Sequence, residues 1–247
     1  MSLQYAENTF LSIKMGFFIF FSPTRDSTPD FIIRYRLNNL EDTVNAPIVK
    51  DGITEQDCLS LQFTSASSQY INKDNDTTKF QKIGTGDYSF SIWINRNDDV
   101  TKDSVLAKDD PTLSSGFLVE VTDSLIPTYT INNITTSFIS SIPNNDWVLL
   151  TITKDSTNTR FYIDDTQTNI VSSQPNNFTT TNSLFKIATN SDASDSFFNG
   201  LIDDIRIYNR TLTPSEVTNL SNFKCINNLI DNESNNLIDD ESNILEG

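Results

Sequence analysis

Residues 197–220, Phe-Phe-Asn-Gly-Leu-Ile-Asp-Asp-Ile-Arg-Ile-Tyr-Asn-Arg-Thr-Leu-Thr-Pro-Ser-Glu-Val-Thr-Asn-Leu, constrain the fold more than any other part of the chain. From Leu201 to Tyr208 the segment reads as a strand, whose side chains alternate between two faces. A regular strand puts Leu201, Asp203, Ile205 and Ile207 on one face, and Ile202, Asp204, Arg206 and Tyr208 on the other. The first face is apolar except for Asp203, an acid at a core position that must find donors or a cation. Downstream, Thr213-Pro214-Ser215-Glu216 predicts a helix start. Thr213 is the N-cap, Pro214 the first helical residue, and Glu216 lies three residues after the cap.

Upstream, the chain is a succession of short β-like runs: Phe31–Leu37, Cys58–Phe63, Tyr88–Ile94, Gly116–Val121, Trp147–Thr153, Arg160–Ile163 and Leu184–Ala188. Asn, Asp, Ser, Thr and Pro separate them, and no helix-length amphipathic segment precedes 213–220, the pattern of an all-β sandwich. With only 7 Gly, the turns fall to Asn and Asp, which tolerate left-handed backbone. The 17 Phe supply a core despite a hydrophobic content of 36%.

Three segments follow. Residues 1–30 form an N-terminal arm, either a strand or a targeting segment, because the apolar run Met15–Phe21 is far shorter than the ~20 residues of a membrane span. Residues 31–224 are the β domain. Residues 225–247 contain a tandem repeat, Asn-Asn-Leu-Ile-Asp-Asn-Glu-Ser then Asn-Asn-Leu-Ile-Asp-Asp-Glu-Ser, an acidic sequence expected to be disordered or to act as a docking peptide. Cys58 and Cys225 flank most of the domain, either bridged or free.

A net charge of −16 argues against nucleic acid or an anionic membrane as the main partner. The absence of histidine removes Ser-His-Asp and Cys-His catalysis and the HExxH zinc motif.

The 197–220 segment resembles the C-terminal signature of laminin-G-like domains of the concanavalin A-like lectin/glucanase superfamily, with Phe198, Gly200, Ile202, Asp203, Asp204, Arg206, Ile207, Tyr208, Asn209, Arg210, Leu212 and Glu216 on the pattern. Leu59–Phe63 with Gln69–Ile71, Tyr88–Ile94, and Asp146–Thr153 with Arg160–Asp164 resemble three further family motifs in order. The family's usual His after Trp147 is Val148, and the Asp-Gly of its early motif is Thr64-Ser65. The resemblance implies a two-sheet antiparallel jelly-roll sandwich with a short C-terminal helix. It also implies a Ca2+ ion at the rim with Asp203 or Asp204 as ligand. Parity favours Asp203; the alternative is that Asp203 accepts backbone N–H bonds from a neighbouring loop and binds nothing.

Parity within the runs gives a second candidate. Tyr88, Phe90, Ile92 and Ile94 share a core face, leaving Trp93 opposite; Tyr162, Arg206 and Tyr208 are likewise opposite core residues. On one concave sheet these four form a sugar-stacking platform; otherwise loops or the N-terminal arm cover them. A glycosidase needs paired carboxylates, and Glu120 and Asp123, three apart, fall on opposite strand faces. The function expected is therefore non-catalytic recognition of a glycan or protein surface, extracellular or surface-associated. The alternative is a structural component of a larger assembly, such as a virion or cell-surface layer. Deleting 1–30 and 225–247 would disable an assembly component and spare a recognition module.

Overall fold

The computed structural model describes residues 32–35, 43–44, 48–51, 59–73, 86–97, 101–110, 115–172, 174–175 and 184–222. The N-terminal arm, the repeat tail and both cysteines lie outside them. In chain order the strands are β1 (Ile32–Tyr35), β2 (Thr43–Val44), β3 (Ile48–Asp51), β4 (Leu59–Phe63), β5 (Tyr70–Lys73), β6 (Tyr88–Arg96), β7 (Asp103–Asp110) and β8 (Ser115–Val121). They continue as β9 (Pro127–Ile131), β10 (Ile134–Ser137), β11 (Trp147–Lys154), β12 (Asn158–Ile163), β13 (Thr166–Ser172), β14 (Phe185–Ile187) and β15 (Gly200–Tyr208), followed by helix α1 (Pro214–Asn222).

The strands form two antiparallel sheets. One runs β13-β12-β11-β6-β15-β4-β3, with β1 also on β15; the other runs β10-β9-β8-β7-β14-β5-β2. The far side of β15 is divided: β4 pairs with Gly200–Ile202 and β1 with Ile205–Tyr208. The expected jelly-roll sandwich with one C-terminal helix is what the chain forms.

The core lies between the sheets. Tyr88, Phe90, Ile92 and Ile94 of β6 all enter it, as parity predicts, together with Phe117, Tyr129, Phe161, Ile205 and Ile207. The Tyr88 and Tyr129 hydroxyls meet at 2.9 Å across the sandwich, and burial pushes both phenols well above their ordinary pKa. Sequence reasoning missed β7, whose buried Val105-Leu106-Ala107 run is only three residues long, and several strands that are polar or short. β10 (Ile-Thr-Thr-Ser) and β13 (Thr-Gln-Thr-Asn-Ile-Val-Ser) are edge strands with largely exposed side chains, so neither shows a clean apolar alternation. Asn169 joins these two edges. Its Nδ2 donates to the Ser137 carbonyl at 2.7 Å, and its Oδ1 accepts the Ile170 N–H at 2.8 Å.

Regular alternation fails in β15. Asp203 lies opposite Trp93 of β6 and Arg206 opposite Ser91, so three residues on one strand span two on the other. This β-bulge places Asp204 at φ +41, a left-handed geometry that Asp adopts more readily than most residues. One extra residue reverses parity on the N-terminal side, and Ile202 rather than Leu201 enters the core with Ile205 and Ile207.

Candidate functional site

The four platform residues fall on one sheet, the condition on which the platform depended, but the three aromatic ones are covered. Trp93, Tyr162 and Tyr208 are 2%, 2% and 5% exposed and pack with Leu149, Leu212, Val217 and Leu220 in a second core between the outer surface of β6, β11, β12 and β15 and helix α1. Stacking on a sugar requires an open ring face. The platform is corrected to a helix seat. The helix is fixed by the predicted capping box: the Thr213 N–H donates to Glu216 Oε2 at 2.8 Å, and the Glu216 N–H donates to Thr213 Oγ1 at 3.3 Å. Arg210 adds 2.9 and 2.7 Å contacts to the same carboxylate, which it holds below its ordinary pKa. Ser89, on the outer face of β6, donates to the Arg210 carbonyl and accepts the Leu212 N–H, both at 2.9 Å, tying down the approach to the helix.

The acid pair is also engaged within the protein. Both carboxylates are buried. Asp204 Oδ2 accepts from Arg206 Nε at 2.9 Å and Nη2 at 2.6 Å, so Arg206 is an ion-pair partner rather than a ligand-facing group. Asp203 Oδ1 accepts the Asp204 N–H at 2.7 Å, and its register opposite Trp93 puts it on the outer face rather than the core face expected. Asp203 thus takes a backbone donor from its own bulge. Calcium takes six to eight oxygens. Among the described residues no three His, Cys, Asp or Glu side chains gather where they could hold a metal.

The geometry points instead to one end of the sandwich. The end of β6, the starts of β7, β11 and β15 and the turn after β12 all lie there, because Arg96 is opposite Gly200, Trp147 opposite Asn95, and Asp103 opposite Val121. A cleft of about 420 Å³ opens at this end, lined by Ser65, Ala66, Thr101, Lys102, Ser196 and Phe197. The half-buried Phe197 ring lies 6.2 Å from Tyr70, giving the cleft an aromatic wall beside three hydroxyls and one ammonium.

Each wall is anchored. Arg96 is fully buried: its Nε donates to Asp103 Oδ2 at 2.6 Å, Nη2 to the Thr101 carbonyl at 2.5 Å, and Nη1 to Asn144 Oδ1 at 3.4 Å. The Ser196–Phe197 wall is held by Ser104 N–H to the Ser196 carbonyl (2.8 Å), Phe198 N–H to Ala188 (2.9 Å) and Asn97 N–H to Asn199 (2.9 Å). Gly200 closes this loop onto β6 so tightly that a Cβ would sit 2.2 Å from the Asn95 carbonyl. Opposite, Thr64 N–H donates to Gln69 Oε1 at 2.7 Å, closing the turn that presents Ser65 and Ala66.

Left-handed backbone concentrates at the same end, in Ser68, Leu125, Ile139, Asn145, Asp164, Ala188, Ala193 and Ser196. Strain of this kind collects at binding and active sites, and Ser196 lines the cleft itself. Sequence reasoning named none of the six lining residues as a site. They come from three loops distant in sequence; Phe197 opens the 197–220 segment and Ser65 stands at a departure from the early motif, and neither carries a binding signal there.

A laminin G family model described as concanavalin A-like lectin/glucanases superfamily matches residues 65–218. No curated protein matches the chain in sequence. Among solved structures, domain 4 of an extracellular arabinanase from Geobacillus stearothermophilus, in complex with arabinotriose, is 22% identical over 78% of this chain and 88% of that one, with a TM-score of 0.55. The CBM40 of the Ruminococcus gnavus IT-sialidase, bound to α2,3-sialyllactose, is 9% identical over 66% and 96%, with a TM-score of 0.54. Botulinum neurotoxin type C, whose cell uptake depends on interaction with two ganglioside molecules, is 14% identical over 77% of this chain and 50% of that one, at 0.54. These neighbours are mainly binding domains. No helix among the described residues is long and apolar enough to cross a membrane.

Proposed function

The chain belongs to the concanavalin A-like lectin/glucanase superfamily, and on that premise we propose that it is a non-catalytic glycan-recognition module that binds in the loop-end cleft. The observation that carries this reading is the cleft: a half-buried aromatic wall beside the hydroxyls of Ser65, Thr101 and Ser196, held by strained and closely tied loops. A sugar offers apolar C–H faces to a ring and a rim of hydroxyls to side chains that both donate and accept. The arabinotriose and sialyllactose complexes of the structural neighbours support a glycan as the ligand class. The Glu120 and Asp123 pair does not favour hydrolysis. Glu120 is engaged by Lys102 and Ser104, while Asp123 is exposed on the following loop.

Phe197→Ala tests the assignment. On a glycan array it should weaken binding about tenfold, the order of one lost stacking contact, with the melting temperature close to that of the unaltered protein. Undiminished binding to a positive glycan rejects the cleft as the site.

A further inference from the structure

Resting on that glycan reading, we infer that the cleft is selective for uncharged sugars and that Glu120 is the residue that excludes acidic ones. Among the described residues Lys102 is the one cationic side chain lining the cleft, and its charge is already answered. Lys102 Nζ lies 2.8 Å from Glu120 Oε1, with side-chain exposures of 51% and 10% respectively. The carboxylate therefore stands fixed behind an ammonium that reaches the mouth. Ser104 Oγ donates to the same Glu120 oxygen at 3.0 Å, which orients the carboxylate independently of Lys102.

A ligand carboxylate or sulfate at contact distance, ~3 Å from Lys102, lies ~6 Å from Glu120, so repulsion offsets about half of the attraction at equal screening. The other charges nearby deepen the disadvantage. Arg96 is consumed by Asp103 inside the protein. Lys186 donates to the Ser191 carbonyl and lies 5.8 Å from the Tyr70 ring. Asp192 and Asp195 are exposed on the loop that carries Ser196, and Asp123 is exposed on the loop after β8. The whole chain carries −16, a background that repels anions more strongly as salt falls. An uncharged sugar meets none of this repulsion, and can use the Phe197 ring and the three hydroxyls. Glu120 thus acts against the wrong ligand rather than for the right one.

The test is a glycan array carrying neutral oligosaccharides and sialylated or sulfated counterparts of the same chains. It is probed with the full-length protein, Glu120→Gln and Phe197→Ala at low and high salt. Glutamine keeps the size of the side chain and an acceptor for Ser104 while removing the charge. The unaltered protein should favour neutral glycans, and Glu120→Gln should gain about tenfold on the acidic counterparts with neutral binding little changed. If the unaltered protein binds acidic glycans as well as neutral ones, or more tightly as salt falls, the inference is overturned; that arm needs no variant to fold. A folded Glu120→Gln with an unchanged acidic-to-neutral ratio removes Glu120 from the account. Failure to bind any glycan, or binding indifferent to Phe197→Ala, defeats instead the underlying glycan reading and the inference with it.

Discussion

At the end of the sandwich that carries Asn132, Asn133 and Asp155, tight turns are made by residues suited to them, whereas the cleft end bends through Ser, Ala, Leu and Ile as well as Asn and Asp. Asn132 and Asn133 take left-handed backbone at φ 47 and 63, which Asn accepts at little cost. Asp155 organises its own turn, accepting the N–H groups of Thr157 and Asn158, both at 2.7 Å, and the Arg160 guanidinium at 2.6 Å. At the cleft end, the β-branched Ile139 sits at φ 74 and is largely exposed. One end bends through residues that favour its turns, with the Asn132 N–H also donating to the Gly116 carbonyl at 3.1 Å. The other relies on long-range ties, above all those of Arg96, to hold geometries its residues do not prefer. That difference separates a turn made for closure from a loop made to present something.

The contrast can be broken at its strongest tie. Arg96→Met strands Asp103 in a fully buried position and should cost about 3–5 kcal/mol in urea denaturation, and cleft binding should fall with it. A cost below about 1 kcal/mol, the range of an exposed pair, would mean that the ion pair does not hold the cleft end together.

A smaller effect sharpens the comparison. Ile139→Gly should relieve strain and raise stability by about 1 kcal/mol, whereas Asn133→Gly at the other end should change it by only about 0.5 kcal/mol or less. Equal responses in thermal melts would erase the distinction.

The smallest effect belongs to Asp155. Burial acts to raise its carboxyl pKa, but the Arg160 guanidinium and the Asn158 and Thr157 N–H groups outweigh it and hold the value at about 2, against an ordinary 3.8. A depressed folded-state pKa stabilises the protein above the ordinary value, and the contribution fades as pH falls from about 4 toward 2. Because the pair is partly exposed, Asp155→Asn should cost about 0.5 kcal/mol at neutral pH. The difference between the variant and the unaltered protein should shrink across that acid window; a constant difference would show that the ion pair is not its source.

The fold was legible where local and long-range rules coincide. The 197–220 segment announced its strand, its capping box and its helix, and β6 announced its core face through Tyr88, Phe90, Ile92 and Ile94. Parity in β15 misled because a single inserted residue at Asp204 reverses every side chain before it, and only the register against β6 reveals the insertion. Trp93, Tyr162 and Tyr208 were correctly assigned to the outer face, yet parity says nothing of what lies above a sheet. Val217 and Leu220 point down from a helix whose apolar residues are too few to announce where it docks. The cleft was illegible for another reason: its chemistry is dispersed over short hydroxyl side chains and one lysine, which converge only after folding.

The seating of α1 has a spectroscopic consequence. The chain has 2 tryptophans, and both Trp93 and Trp147 pack in the cluster beneath the helix rather than between the sheets. Intrinsic indole emission is thus a local gauge of helix docking, while the tyrosine pair Tyr88 and Tyr129 absorbs from the heart of the sandwich. Excited at the red edge, where tyrosine does not absorb, the two indoles report on the lid of helix apart from the body.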